Sequence, residues 1–358
     1  MSQTFETSAC RLLGIRFPLL QAPMAGGWTT PALVAAVSNA GGYGQLAAAG
    51  LSRAQLLQQI VQTLELTGAP FGVNFLIAPP EAPARAGAAL TAALGSARQA
   101  LGLGKPAAAA APASAAELLE AALEAGLRWF SFALGDPAPF VPQMRKGGAR
   151  WIAMVTTVEE ALRAEAGGAS LIVAQGAEAG GHRSTFDLPA GRELPLIGTL
   201  ALVPQIVDAV HVPVIAAGGI MDGRGLVAAL ALGASGAQLG TRFLLANEAN
   251  VFPGFRQRLL DAIETDTTIT RVVSGRPCRA LRNRLVETLS APGVELLPWP
   301  HQRVASADIH QAAIRTNSPD WAPMLAGQNL RSARTEQPAG EIVAEIEREA
   351  RAVVAGWA

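Results

Sequence analysis

Eight short apolar runs recur along this chain, most of them followed by a turn and a helical segment. The apolar runs fall at 18–21, 43–46, 71–75, 129–132, 151–154, 171–174, 213–216 and 237–240. Between them lie helical segments at 31–40, 53–67, 115–125, 158–165, 200–209 and 225–232. Runs that are continuously apolar indicate strands covered on both faces. Strand–helix repetition makes the sheet parallel. Eight units spread over about 230 residues close naturally into an α/β fold, the (β/α)8 TIM barrel, which is typically ~250 residues long. The rival, a doubly wound open sheet, lacks an early glycine fingerprint followed by a suitably spaced ribose-binding carboxylate.

Two stretches depart from the repeat. Residues 78–115 are rich in alanine and proline, which predicts a helix near 88–101 followed by a flexible surface connection. Beyond Leu245 come an amphipathic segment at 255–262, a basic helix over 276–284, the stretch 299–327 and a charged-faced helix at 341–354. The expected organisation is a barrel core over 1–245 and an all-helical extension over 246–358. The extension would pack on the barrel, form one wall of the site and complete the same catalytic unit.

Charge is balanced, with 28 basic and 28 acidic residues, so nothing calls for a nucleic-acid or membrane-surface partner. Cys10 and Cys278 are too few and too far apart for a disulfide framework. No apolar run is long enough to span a bilayer, and residues 1–10 do not read as a signal peptide, so a cytoplasmic setting is expected. The dispersed histidines, without HExxH, suggest no metal, and no GxSxG elbow is present; hydrolysis by either route is not expected.

In such a barrel, ligands bind in the loops that follow the strands. Ala216-Ala217-Gly218-Gly219-Ile220 follows the seventh run and Gly240-Thr241-Arg242-Phe243 the eighth. Their successive backbone N–H groups can cradle a phosphate without a lysine, and Thr241 can add a hydroxyl. Gln175-Gly176-Ala177-Glu178-Ala179-Gly180-Gly181-His182 follows the sixth run. Gln175 carries donor and acceptor, suiting the imide-like edge of a flavin. Of the four histidines, His211 precedes a strand and His301 and His310 lie in the tail, leaving His182 in a ligand-facing loop. Asn74 ends the third strand, either facing the barrel mouth or satisfying a neighbouring backbone. Glu178 reads as a loop organiser and Asp222 as a helix cap, or both as site residues.

These motifs resemble the nitronate monooxygenases, formerly 2-nitropropane dioxygenases, and are most similar to their first class. The resemblance runs from Pro18–Gly27 through 70–75, 174–182, 213–225 and 236–244 to Ala326-Gly327-Gln328. It implies non-covalently bound FMN approached by Met24, Asn74, Gln175, Gly180, Gly218, Gly219, Gln238, Leu239, Gly240 and Thr241. It implies His182 as the active-site histidine. The implied reaction is O2-dependent oxidation of an alkyl nitronate or propionate 3-nitronate to a carbonyl compound and nitrite or related nitrogen oxides. His182 would hold the anionic nitronate or remove the α-proton of a neutral nitroalkane. A monomer or homodimer is expected.

One departure stands out. The first class lines its pocket with tyrosines, yet Tyr43 is the single tyrosine here. Phe132, Trp299, His301 and Trp321 are candidates to fill that space. Three other functions fit the same loops. They are an NAD(P)H-dependent FMN reductase of quinones or enoyl thioesters, a flavin-free phosphate-binding lyase or isomerase, and a non-enzymatic FMN-binding protein.

Overall fold

The structure, a computed structural model, describes every residue except 1–4, 78–81, 83, 105–112, 189–192, 333–334 and 358. Strands are labelled in chain order: β1 (Leu19–Gln21), β2 (Gly44–Ala47), β3 (Phe71–Leu76), β4 (Trp129–Ala133), β5 (Arg150–Val155), β6 (Leu171–Gln175), β7 (Gly181–His182), β8 (Val214–Ala217), β9 (Ala237–Leu239), β10 (Thr267–Thr270) and β11 (Cys278–Leu281). Eight of them form one parallel sheet in the order β1-β9-β8-β6-β5-β4-β3-β2. A parallel bridge between Leu20 and Tyr43 joins its two ends. There Tyr43 N–H donates to the Leu19 carbonyl at 2.9 Å and Gln21 N–H to the Tyr43 carbonyl at 2.9 Å. The expected (β/α)8 barrel is the observed one.

Side chains alternate across each strand, and that period assigns them to two separate cores. Leu20, Tyr43, Ile152, Leu171, Val173, Ile215 and Ala217 pack together inside the barrel, where Ala9, Cys10 and Leu13 of helix Ser8–Leu13 join them. Their neighbours Leu19, Ala153, Ile172, Val214 and Ala216 pack outward among the helices. Gly72 makes the inner layer possible, because a Cβ there would lie 2.6 Å from the Tyr43 hydroxyl. Followed along each strand, the same alternation turns Asn74, Met154, Gln175, Ala217 and Gln238 to the barrel axis, where they line one cavity.

The helices begin where capping chemistry allows. Thr30, Ser52, Ser114, Thr157 and Asp222 each accept a backbone N–H of the following first turn. Asp222 thus has the capping role expected of it, for helix Gly223–Ala231. The helix anticipated near 88–101 spans Ala88–Ala100, and most of the connection after it lies outside the described residues.

The C-terminal region is not all helical. β10 pairs antiparallel with β11, which pairs with β7 in the loop after β6. The basic helix expected over 276–284 is instead β11, followed by helix Arg284–Leu289 under an Asn283 cap. Arg276 and Arg279 there are buried donors rather than part of a solvated face, while Arg282 and Arg284 are exposed. Arg279 reaches the Ala177 carbonyl at 2.9 Å and the Thr267 hydroxyl at 3.0 Å, and Arg276 the Thr185 carbonyl at 2.6 Å. Burying those groups is favourable only where hydrogen-bond acceptors surround them, which this small sheet and the loops beside it supply and a surface helix does not. No helix among the described residues is long and apolar enough to cross a membrane.

Candidate active site

A cavity of about 450 Å³ opens at the C-terminal ends of the barrel strands. Met24, Asn74, Gln175, Gly180, His182, Gly218, Gly219, Gln238, Gly240 and Thr241 all line it. Leu239 is the exception. Its neighbour Gln238 takes the inward position, so the Leu239 side chain is buried in the outer core.

The loop after β6 is held from beneath. Gln175 donates to the His182 carbonyl at 2.9 Å and accepts the Ser184 N–H at 2.9 Å. Its amide therefore shapes the loop. Arg183, fully buried, donates to the carbonyls of Gly176 and Gln175 at 2.6 and 3.0 Å. Glu178 accepts the backbone N–H and the hydroxyl of Thr199, at 2.9 and 2.8 Å, and organises the loop as expected.

A segment of the C-terminal region ties the loops together. Gln328 N–H donates to the Glu178 carbonyl, Gly327 N–H to the Thr241 hydroxyl at 2.9 Å, and Asn329 Nδ2 to the Gly219 carbonyl at 2.8 Å. Gly180 passes so close beneath that a Cβ would stand 2.5 Å from the Ala326 backbone. Gly218 and Gly219 sit at φ +118° and +71°, a conformation that favours glycine.

Several polar groups stay open toward the cavity. Among the described residues, the backbone N–H groups of Gly219, Gly240 and Thr241 meet no protein acceptor. Asn74 gives its amide hydrogens to the Ser131 carbonyl and hydroxyl, at 3.2 and 2.9 Å, which leaves its oxygen as an acceptor. Gln238 accepts from Gln45 at 3.1 Å through its oxygen, which leaves its amide nitrogen as a donor.

His182 meets Ser274 through Nε2 at 2.6 Å, and the Trp299 ring lies edge-on at 6.1 Å. Burial above all, with the charges of Arg303 and Arg276 acting in the same direction, lowers the imidazole to about 4. The ring is therefore neutral at pH 7. Of the aromatic candidates for the missing tyrosines, Trp299 lines the cavity. Phe132 instead stacks on Phe75 in the outer core, and Trp321 is buried beside the Arg284 guanidinium.

Sequence reasoning missed Ser274, Arg303, His310, Gln311 and Asn329, all of which line the cavity. A signal existed for part of this set. Arg303, Ala307, His310, Gln311 and Ile314 recur at three- and four-residue spacing, which places them on one helical face. No group of metal-ligating side chains occurs among the described residues.

Comparison with known proteins agrees with this geometry. The nitronate monooxygenase family profile matches residues 7–349. A probable nitronate monooxygenase of Staphylococcus saprophyticus is 36% identical over 333 residues, covering 91% of this chain and 92% of that one. The crystal structure of a nitroalkane oxidase from Streptomyces ansochromogenes is 33% identical with a TM-score of 0.88, covering 98% of this chain and 100% of that one. FabK from Thermotoga maritima is 27% identical with a TM-score of 0.78, covering 98% of each chain. This chain belongs to the nitronate monooxygenase family and is an oxidoreductase.

Proposed function

We propose that the chain binds FMN in this cavity and uses O2 to convert nitronates to a carbonyl compound and nitrite or related nitrogen oxides. The observation that carries this reading is the meeting, in one cavity, of two anion-ready glycine loops and a neutral histidine flanked by arginine charge. The residues present fit the cofactor. Open N–H groups at Gly219, Gly240 and Thr241 suit its phosphate. The Asn74 acceptor and the Gln238 donor suit the imide-like edge, a role for which the loop-bound Gln175 is less free. Bound there, the flavin supplies the redox capacity.

The protein's own part is positional and electrostatic. Ser274 holds one side of the His182 ring, and Nδ1 has no partner among the described residues. The positive charge that lowers His182 also favours an anionic ligand beside it. A ring held near pH 4 is a weak base. The site is therefore better suited to a nitronate formed beforehand than to taking the α-proton from a neutral nitroalkane.

The test is the visible spectrum of the purified protein together with an aerobic nitrite assay on nitroethane, its nitronate and propionate 3-nitronate. Bound flavin, and nitrite from the nitronates in preference to nitroethane, is the expected outcome. Flavin without nitrite, bleached by NAD(P)H, would point to a reductase on the same scaffold. Absence of flavin and no uptake of added FMN would remove the proposal.

A further inference from the structure

Three buried glutamines meet where β9, β1 and β2 run side by side: Gln238, Gln21 and Gln45. Gln238 lines the cavity, whereas Gln21 and Gln45 do not, and the reaction described above uses neither of them. Gln45 follows Tyr43 by two residues and so shares its inward position along the chain. A primary amide in such a place is costly unless its hydrogens find acceptors.

The hydrogen bonds among these amides run in one direction only. Gln21 Oε1 accepts the Gln45 backbone N–H at 3.0 Å, and Gln21 Nε2 donates to the Ala22 carbonyl and to the Thr29 hydroxyl. Gln45 Nε2 donates to the Gln21 carbonyl at 3.1 Å and to Gln238 Oε1 at 3.1 Å. A backbone N–H can only donate and a backbone carbonyl can only accept. The Gln21 carbonyl therefore fixes which end of the Gln45 amide is nitrogen, and Gln45 in turn fixes which end of the Gln238 amide is oxygen. Turning Gln238 round would set two amide nitrogens against each other. Gln238 thus reaches the cavity as a donor, and the residue that enforces this lies outside the cavity.

We propose that Gln45 is a positioning residue for the cofactor: by holding Gln238 Oε1 it keeps Gln238 Nε2 as a donor to a carbonyl of the flavin's imide-like edge, and so raises the flavin's reduction potential. This rests on the reading of the cavity as an FMN site. A flavin that takes up two electrons and one proton carries a negative charge that spreads into this edge. A fixed donor there favours the reduced form over the oxidised one, because hydrogen bonds to a charged acceptor are roughly twice as strong as those to a neutral one. An amide free to turn would present its oxygen part of the time and lose that preference.

The test titrates FMN-loaded protein with dithionite against a reference dye, for the wild type, Gln45→Met, Gln238→Met and the double variant. Gln45→Met should weaken the binding of reduced FMN relative to oxidised FMN by about tenfold, which lowers the two-electron potential by ~30 mV. Affinity for oxidised FMN should change by less than about threefold. Because Gln45 acts through Gln238, its substitution should add nothing in the Gln238→Met background. Gln45→Asn keeps an amide for the neighbouring strand but is one methylene short of Gln238. It should show the same shift, and it replaces Gln45→Met if that variant does not fold. An unchanged potential, or an equal shift with and without Gln238, would overturn the proposal and leave the FMN site standing. A wild type that takes up no FMN would overturn the FMN reading and this proposal with it.

Discussion

His182 Nε2 and Ser274 Oγ stand 2.6 Å apart, linking the strand that follows β6 to the turn between β10 and β11. The serine hydroxyl also receives the Arg276 N–H at 3.3 Å. Its own proton can then go to the imidazole, which places the ring proton on Nδ1, the side suited to donate to an anion. Ser274 is in this sense a positioning residue. Ser274→Ala should lower kcat on nitronates by about 10- to 100-fold while leaving the fold and flavin content intact. Ser274→Thr, which keeps the hydroxyl, should recover most of it. Equal activity in the alanine and threonine variants would show that the contact does not set the ring's orientation.

Gly218 gives a second prediction. At φ +118° it can take a side chain only with strain, and a Cβ would lie 2.8 Å from the Thr199 hydroxyl. Gly218→Ala should cost about 1–3 kcal/mol locally and weaken FMN binding by at least roughly tenfold. Titrating FMN into stripped protein measures this directly, and unchanged affinity would separate this loop from the phosphate.

The pH dependence of stability follows from His182 and His310, both lowered to about 4 mainly by burial. Between about pH 6.5 and 4 the unfolded chain takes up protons on these rings and the folded protein does not. Stability is therefore complete above the unfolded value and falls as pH drops through this window, by up to ~1.4 kcal/mol per pH unit for each ring. Glu160, whose carboxyl is raised by burial, acts in the opposite sense just above its ordinary range. Denaturant unfolding at several pH values should show a shallower slope in His310→Leu than in the wild type. An unchanged slope would mean that His310 is not a buried neutral ring.

Much of the architecture was legible because it depends on local chemistry. The eight apolar runs, their order and the Asp222 cap could be read directly, as could the glycine loops at 218–219 and 240–241. What failed was decided by distant partners. Arg276 and Arg279 look like a basic helix face until the β7 strap and the Ala177 and Thr185 carbonyls are in place. Gln175 lines the cavity, and its donor and acceptor are both visible in sequence, whereas their use on His182 and Ser184 is not. Arg303 and His310 lay on a readable helical face, but which face meets the cavity depends on how the C-terminal helices dock.

The most direct measurement mixes flavin-loaded protein anaerobically with a nitronate, and separately with NAD(P)H, and follows the flavin's visible absorbance. Loss of colour with the nitronate, recovery on admitting O2 with release of nitrite, and no response to NAD(P)H is the expected result. Rapid bleaching by NAD(P)H with no response to any nitronate would contradict it.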